Sequence, residues 1–331
     1  GYAQVMVAHT QQTLDEWQVG QRLDIAAAMQ DLTLRIVAKA LFDVDLKIDS
    51  RGLGQAFNDV INNPVQMPFS WRSIPLNLPF MPYAKHMAGR ATLDTYIYGL
   101  IAKRRATGRD TGDVISMLLE AQDDGVTMTD QQVRDQTLTL MAAGHETTAN
   151  LLAWTFYLLS SHAEARATLL AELHSMLKGR APTVDDLPNL PYLDWVVSES
   201  MRMYPPAWTV GRRAIAPFEL GGYSFPAGQM VMVNQWVLHH LPEVWGDPYA
   251  FRPERWEPSQ ARAIPPGAYF PFGAGPRMCI GMPFAQLEAR LLLATILQRF
   301  TPELVPGWPV VPRPRITLRP KFGIQMTLAQ P

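Results

Sequence analysis

Between Thr129 and Ser161 the chain runs for some 32 residues without a proline, in a sequence that carries 28 of them. No other feature restricts the fold as much. Thr129-Asp130-Gln131-Gln132 has the spacing of a capping box, so the run predicts a single α-helix that opens at Thr129. At ~1.5 Å per residue such a helix is about 50 Å long, enough to cross a molecule of this size. Leu138, Leu140, Met141, Leu151, Leu152 and Trp154 place apolar groups all round it, which predicts a buried helix. Its middle nevertheless holds Ala143-Gly144-His145-Glu146-Thr147-Thr148. Buried polar groups need partners or a function. His145-Glu146 invites a zinc-protease reading, which fails because position 149 is Ala149 where a second ligand would be needed. Gly144 beside threonines that can bond back to helix carbonyls permits a local opening of the helix.

The rest of the chain also reads as mainly helical. Amphipathic stretches run from Tyr2 to Trp17 and from Asp24, a suitable N-cap, through Ile25, Met29, Leu32, Ile36, Val37 and Leu41. A proline-interrupted apolar loop follows Asn63 and continues to Tyr83. It suits an access route to a buried pocket and a hydrophobic lid equally well. Further helices are expected over Lys85 to Arg105, Ala163 to Leu177, Tyr192 to Met203 and Met282 to Arg299. Strands are expected at Phe218 to Leu220, Tyr223 to Phe225, Met230 to Val233, Ile316 to Leu318 and Ile324 to Leu328. The proline-rich stretch from Leu241 to Pro266 lacks periodicity and predicts an ordered meander.

Of the 331 residues 47% are apolar and 18% charged, ample for a sizeable core. A net charge of −1 without long basic runs argues against nucleic acid as a partner. No apolar stretch approaches the ~20 residues of a membrane span, so a cytoplasmic location is expected. The chain begins with Gly1 rather than Met, which leaves room for a leader that has been removed.

There is one cysteine, Cys279. It cannot form an internal disulfide, and by itself it would pass for a small buried hydrophobe. Its setting is Phe272-Gly273-Ala274-Gly275-Pro276-Arg277-Met278-Cys279-Ile280-Gly281, with Pro283 close behind. A dinucleotide fingerprint would need a third glycine where Met278 stands. What remains is a glycine-bearing loop that delivers a cysteine to a helix N-terminus, where partial positive charge favours the thiolate. Gly275 and Gly281 let backbone pass close to a flat ligand.

Phe-x-x-Gly-x-Arg-x-Cys-x-Gly over Phe272–Gly281 resembles the haem-binding loop of the cytochrome P450 family. Three further matches follow in the family's order. Glu199-Ser200-Met201-Arg202 is similar to its Glu-x-x-Arg, and Phe251-Arg252-Pro253-Glu254-Arg255-Trp256 to its meander motif. Ala143-Gly144-His145-Glu146-Thr147-Thr148 is similar to its oxygen-binding groove. The resemblance implies a mainly α cytochrome P450 fold with a small β region, one haem domain over residues 1–331. It implies haem b held between the long helix and the cysteine loop, with Cys279 as the iron's axial ligand. Phe272, Gly273, Gly281, Ala143 and Gly144 would line the haem, and Arg277 and Arg212 would meet its propionates, with Arg213 in reserve for the second. Glu146 and Thr147 would deliver protons for oxygen activation. Glu199, Arg202 and Arg255 would form a structural charge cluster, while His239 and His240 are assigned no chemistry.

The implied reaction inserts one oxygen atom of O2 into a small apolar substrate of the fatty acid or terpenoid class. Electrons would come from NAD(P)H through a separate partner, a ferredoxin with its reductase or a flavin reductase. The alternatives are a haem-binding protein without turnover, an inactive truncated remnant, and a peroxide-driven peroxygenase, against which Glu146 and Thr147 argue. Family members carry a further N-terminal portion with the first strands, so the chain is expected to be N-terminally short.

Overall fold

The capping box forms. Thr129 Oγ1 accepts the Gln132 N–H at 3.3 Å, Gln132 Oε1 accepts the Thr129 N–H at 2.8 Å, and unbroken helix runs from Asp130 to Ser161. The computed structural model describes residues 1–44, 52–53, 55–56, 59–60, 82–108, 112–123 and 125–331. The expected apolar loop after Asn63 lies outside the described residues as far as position 81, and Pro82 opens a helix. By contacts the chain divides into two compact units, residues 1–13 with 27–149 and residues 14–26 with 150–331.

The first unit holds α1 (Tyr2–Leu14), α2 (Ile25–Phe42), α3 (Pro82–Thr107), α4 (Val114–Glu120) and the leading part of α5 (Asp130–Ser161). α1 stops short of the expected Trp17. Asp24 Oδ1 accepts the Ala26 N–H at 3.0 Å and caps α2 as the sequence suggested. Met29, Leu32, Ile36 and Val37 of α2 are fully buried, as is Ile97 of α3. Polar ties add direction to this apolar packing. Arg134 of α5 pairs with Asp94 of α3, and Arg104 pairs with Asp113, whose Oδ1 caps α4 through the Ser116 N–H at 2.8 Å.

Apart from a two-residue antiparallel pair in the first unit, Gln122–Asp123 with Val126–Thr127, the described strands fall in the second unit, with the remaining long helices, α6 (Ala163–Leu177), α7 (Pro191–Met203) and, past the one-turn α8 (Gln235–Leu238), α9 (Met282–Leu297). β1 (Arg22–Asp24), which the sequence did not announce, lies at the edge of an antiparallel sheet with β9 (Gln325–Ala329) and β6 (Thr301–Leu304). In β9 Met326 and Leu328 are buried and alternate with half-buried neighbours, the period of two expected of a strand packed on one face. β2 (Val210–Arg213) pairs with β5 (Met230–Val233). β3 (Phe218–Leu220) and β4 (Tyr223–Phe225) make a hairpin whose two turn residues, Gly221 and Gly222, have φ of 59° and 82°, which only glycine adopts without strain. The strand expected at Ile316 to Leu318 is displaced. β8 is Leu318–Pro320, paired with β7 (Pro312–Pro314), and positions 315 to 317 form the turn between them. Pro312 and Pro314 disguised this hairpin, because proline in a strand pattern argues against a ladder.

α7 buries nine of its thirteen residues, among them Glu199 and Arg202, both fully inaccessible. Arg202 binds Glu199 through two bonds, Nε to Oε2 at 2.9 Å and Nη2 to Oε1 at 2.8 Å. Arg255 Nε reaches Glu199 Oε1 at 3.3 Å, the Trp256 indole N–H donates to Oε2 at 3.0 Å, and the Arg252 N–H donates to Oε1 at 3.1 Å. The outer nitrogens of both arginines donate to main-chain carbonyls: Arg202 to those of His239, Pro248 and Ala250, Arg255 to those of Trp245 and Asp247. The meander, which has no ladder of its own, is therefore held by side chains. Glu199→Ala strips the charge that two buried guanidinium groups share and should cost ~3–5 kcal/mol, read as a lower midpoint in denaturant.

Gly323 has φ of 70°, and a Cβ there would sit 2.0 Å from Asp24 Oδ2. The same carboxylate accepts the Ile324 N–H at 3.0 Å and closes the sheet edge. Gly323→Ala should lower stability by more than ~2 kcal/mol, whereas Gly307→Ala, with open space around its Cβ, should lose only the positive-φ penalty. Thermal melts of the two variants measure the difference.

His239 is fully inaccessible. Burial, then the neighbouring His240 and Arg202, push its pKa down to about 3 from its ordinary value. It is neutral in the fold and takes up a proton in the unfolded chain below about pH 6.5, the free-histidine value. Stability should accordingly fall as pH drops from about 6.5 toward 3, with His240, shifted the same way, adding to the slope. Denaturation of the native chain and of His239→Gln across that window should show a shallower loss in the variant.

A cysteine loop and a polar helix centre as candidate haem-binding elements

The two sets of residues singled out in the sequence belong to different units, and each is described by itself. In the second unit the cysteine loop is built from backbone. The Gly273 N–H donates to Phe270 O at 2.9 Å, Gly273 and Gly275 have φ of 74° and 72°, and a short 3-10 turn spans Gly275–Arg277. The loop closes where the Cys279 N–H donates to Phe272 O at 2.9 Å. α9 starts three residues after the cysteine, with Gly281 at its N-cap and Pro283 in its first turn. Residues 274 to 280 are all exposed, Cys279 among them. A Cβ at Gly281 would stand 3.8 Å from the Cys279 sulfur, an ordinary contact, so that glycine is not forced by crowding here.

Arg277 lies in the 3-10 turn, two residues before the cysteine. Arg212 is on β2, where its Nη1 donates only to the neighbouring Gly211 carbonyl at 2.8 Å. Neither arginine has a carboxylate partner among the described residues. Arg213 bonds the Gly228 carbonyl at 3.3 Å. A single soft thiol at a helix N-terminus together with uncompensated guanidinium groups suits a metal macrocycle that carries acid side chains. The donor set therefore fits haem.

In the first unit, the centre of α5 is a run of carbonyls that each take a side-chain donor beyond the helix ladder. His145 Nδ1 lies 2.9 Å from Met141 O, Thr147 Oγ1 donates to Ala143 O at 2.7 Å, and Thr148 Oγ1 donates to Gly144 O at 3.4 Å. Thr33 of α2 donates to His145 O at 2.9 Å. The helix stays continuous through this stretch. The structural reason for Gly144 is Val37, whose Cγ2 would lie 3.1 Å from a Cβ at that position, so α2 approaches α5 where the side chain is missing. Glu146 is 3% exposed, while Thr147 is half-buried and Ala143 exposed.

Sequence reasoning missed three contributors. Trp256 and the Arg252 N–H complete the shell around Glu199, and Thr33 holds the α5 carbonyl beside Glu146. His239 also acquires a role: its Nε2 accepts the Phe270 N–H at 3.2 Å, at the root of the cysteine loop. None of these had a local signal, since each partner lies far away in sequence. Among the described residues no group of acidic, histidine or cysteine side chains could hold a bare metal ion, and no helix is long and apolar enough to cross a membrane.

The family model for cytochrome P450 matches residues 1–327. Cyclooctat-9-en-7-ol 5-monooxygenase of Streptomyces melanosporofaciens is 37% identical over 314 residues, covering 92% of this chain and 67% of that protein. Pentalenene oxygenase of Streptomyces avermitilis is 34% identical, covering 96% of this chain and 70% of that protein. Among solved structures, the haem domain of cytochrome P450DA superposes with a TM-score of 0.89 at 29% identity, covering all of this chain and 73% of that one. A retinoic-acid-bound cyanobacterial cytochrome P450 gives 0.88 at 29%, covering all of this chain and 74% of that one. The chain thus spans about 70% of the length of such relatives, and it belongs to the cytochrome P450 family of haem-dependent monooxygenases.

Proposed function

We propose that the chain is the haem-binding part of a terpenoid monooxygenase, with both units belonging to one haem domain over residues 1–331. The observation that carries the reading is the chain's one cysteine, exposed on a backbone-closed loop at the N-terminus of α9. Its relatives, named for cyclooctat-9-en-7-ol and pentalenene, favour a terpenoid over a fatty acid. Electrons come from NAD(P)H through a separate ferredoxin or flavin reductase.

Bound haem would supply the centre at which O2, given two electrons by the partner and two protons, places one oxygen atom in a C–H or C=C bond and leaves the other as water. Cys279 would hold the iron as thiolate, favoured by the positive end of α9, and Arg277 and Arg212 would bind the propionates as charge-assisted donors. In the second unit Phe272 and Gly273 in the loop and Gly281 beyond it would lie against the macrocycle, and in the first unit Ala143 and Gly144 on α5 are the candidates for it. Thr147 keeps its hydroxyl proton on Ala143 O at 2.7 Å. Rotation about χ1 redirects that proton into the reaction space, and Oγ1 can in turn accept one from water. Glu146, one residue earlier and 3% exposed, moves protons inward to replace it.

The reduced, carbon-monoxide-bound protein should show the strongly red-shifted Soret band of thiolate ligation, and Cys279→Ala should abolish it. A band of the same position in Cys279→Ala would sink the assignment. Thr147→Ala removes the alcohol and leaves the helix ladder intact. With a surrogate reductase it should consume NADPH at a rate close to the parent's but divert most reducing equivalents to hydrogen peroxide, with product per NADPH down by roughly tenfold. Unchanged coupling would remove Thr147 from the relay.

A further inference from the structure

His239 is the most constrained group that the oxygen chemistry leaves unused. The Phe270 N–H donates to its Nε2 at 3.2 Å, so the neutral ring carries its proton on Nδ1. The ring lies against Tyr269, with centroids 5.2 Å apart, and edge-on to Phe270 at 5.7 Å. Its own carbonyl accepts from Arg202 Nη1 at 2.9 Å. The residue is thus gripped from behind by the Glu199 cluster and grips Phe270 in front. From there the register of the cysteine loop passes through two backbone bonds, Gly273 N–H to Phe270 O and Cys279 N–H to Phe272 O, each 2.9 Å. One turn before His239, on the same helical face, Gln235 is also fully inaccessible. Neither polar atom of its amide finds a partner among the described residues, whereas the His239 ring has the Arg202 and Met201 carbonyls of α7 as hydrogen-bond partners.

We propose that His239 is a positioning residue for the haem ligand Cys279, its Nε2 held in place as the acceptor for the Phe270 N–H. Without that acceptor the half-buried Phe270 N–H loses its partner, and the loop gains the freedom to carry the sulfur off the iron. The inference rests on the reading of Cys279 as haem ligand.

The test uses the haem-loaded protein with two readouts, hydrogen exchange of the Phe270 amide and the Soret band of the reduced carbon monoxide complex. His239→Leu should speed exchange by roughly tenfold, the size expected for losing the acceptor of a partly buried N–H. It should also convert the thiolate band to the blue-shifted band of a lost or protonated thiolate. His239→Gln, which keeps an acceptor at comparable reach, should return both readouts toward the parent. Tyr192→Phe, which deletes the 2.9 Å bond to Glu254 far from the loop, should lower the melting temperature and move neither. Should His239→Leu fail to fold, His239→Asn, which keeps an acceptor but shortens its reach, takes its place and should show the same two changes in weaker form. Parent-like exchange and spectrum in the leucine variant, or a glutamine variant as impaired as leucine, would overturn the proposal. Loss of the red-shifted band in Cys279→Ala is the separate check: if the band survives there, the ligand assignment falls instead.

Discussion

The Glu199 carboxylate, taken wholly out of water, is the point on which the second unit depends. A lone buried anion would be far too costly to keep, and the fold offsets it with two guanidinium groups, an indole N–H and a main-chain N–H. The arrangement has reach because both arginines are larger than their task. Each neutralises Glu199 with one side of its fork and with the other gathers carbonyls from the meander, a stretch whose regular structure is limited to single helical turns at Pro242–Trp245 and Pro253–Trp256. One charge on α7 therefore organises some twenty residues of irregular chain, roughly from His239 to Trp256, and through His239 it touches the root of the cysteine loop.

This dependence explains what the sequence displayed and what it concealed. Local rules were visible. Thr129 with Gln132, Asp24 ahead of Ile25 and the glycine pair at 221 and 222 each act within a few residues, and each did what its chemistry dictates. The Glu199–Arg202 pair was visible for the same reason, as neighbours one helical turn apart. Arg255 joined them only through the resemblance of its motif, since nothing in a 56-residue separation announces a contact. The strand at Arg22 was too short to signal itself and exists because β9 offers an edge. The hairpin from Pro312 to Pro320 was masked by its prolines, which sit at the ends of the short strands.

The candidate site divides along the same line. The cysteine loop could be read as a string, since backbone turns and two left-handed glycines build it from within. The centre of α5 could be read only in part. Its polar residues stood out against their apolar surroundings, but the reason for Gly144 is a valine on another helix, and the hydroxyl beside Glu146 comes from Thr33. Sequence shows which groups are unusual for their setting. The identity of the neighbour that makes them tolerable is a property of the packing.

The doubled use of carbonyls on α5 has a mechanical consequence. Met141, Ala143, Gly144 and His145 each share one oxygen between the ladder and a side chain, and a shared acceptor holds its amide less firmly. Asp135, Leu151 and Tyr157 share their oxygens singly in the same way, so a rod of eight to nine turns is softened most where four such carbonyls crowd into five residues near its midpoint. When a guest presses against this helix, bending will collect there rather than spread along the shaft. The peptide groups beside Glu146 and Thr147 can then swing through small arcs.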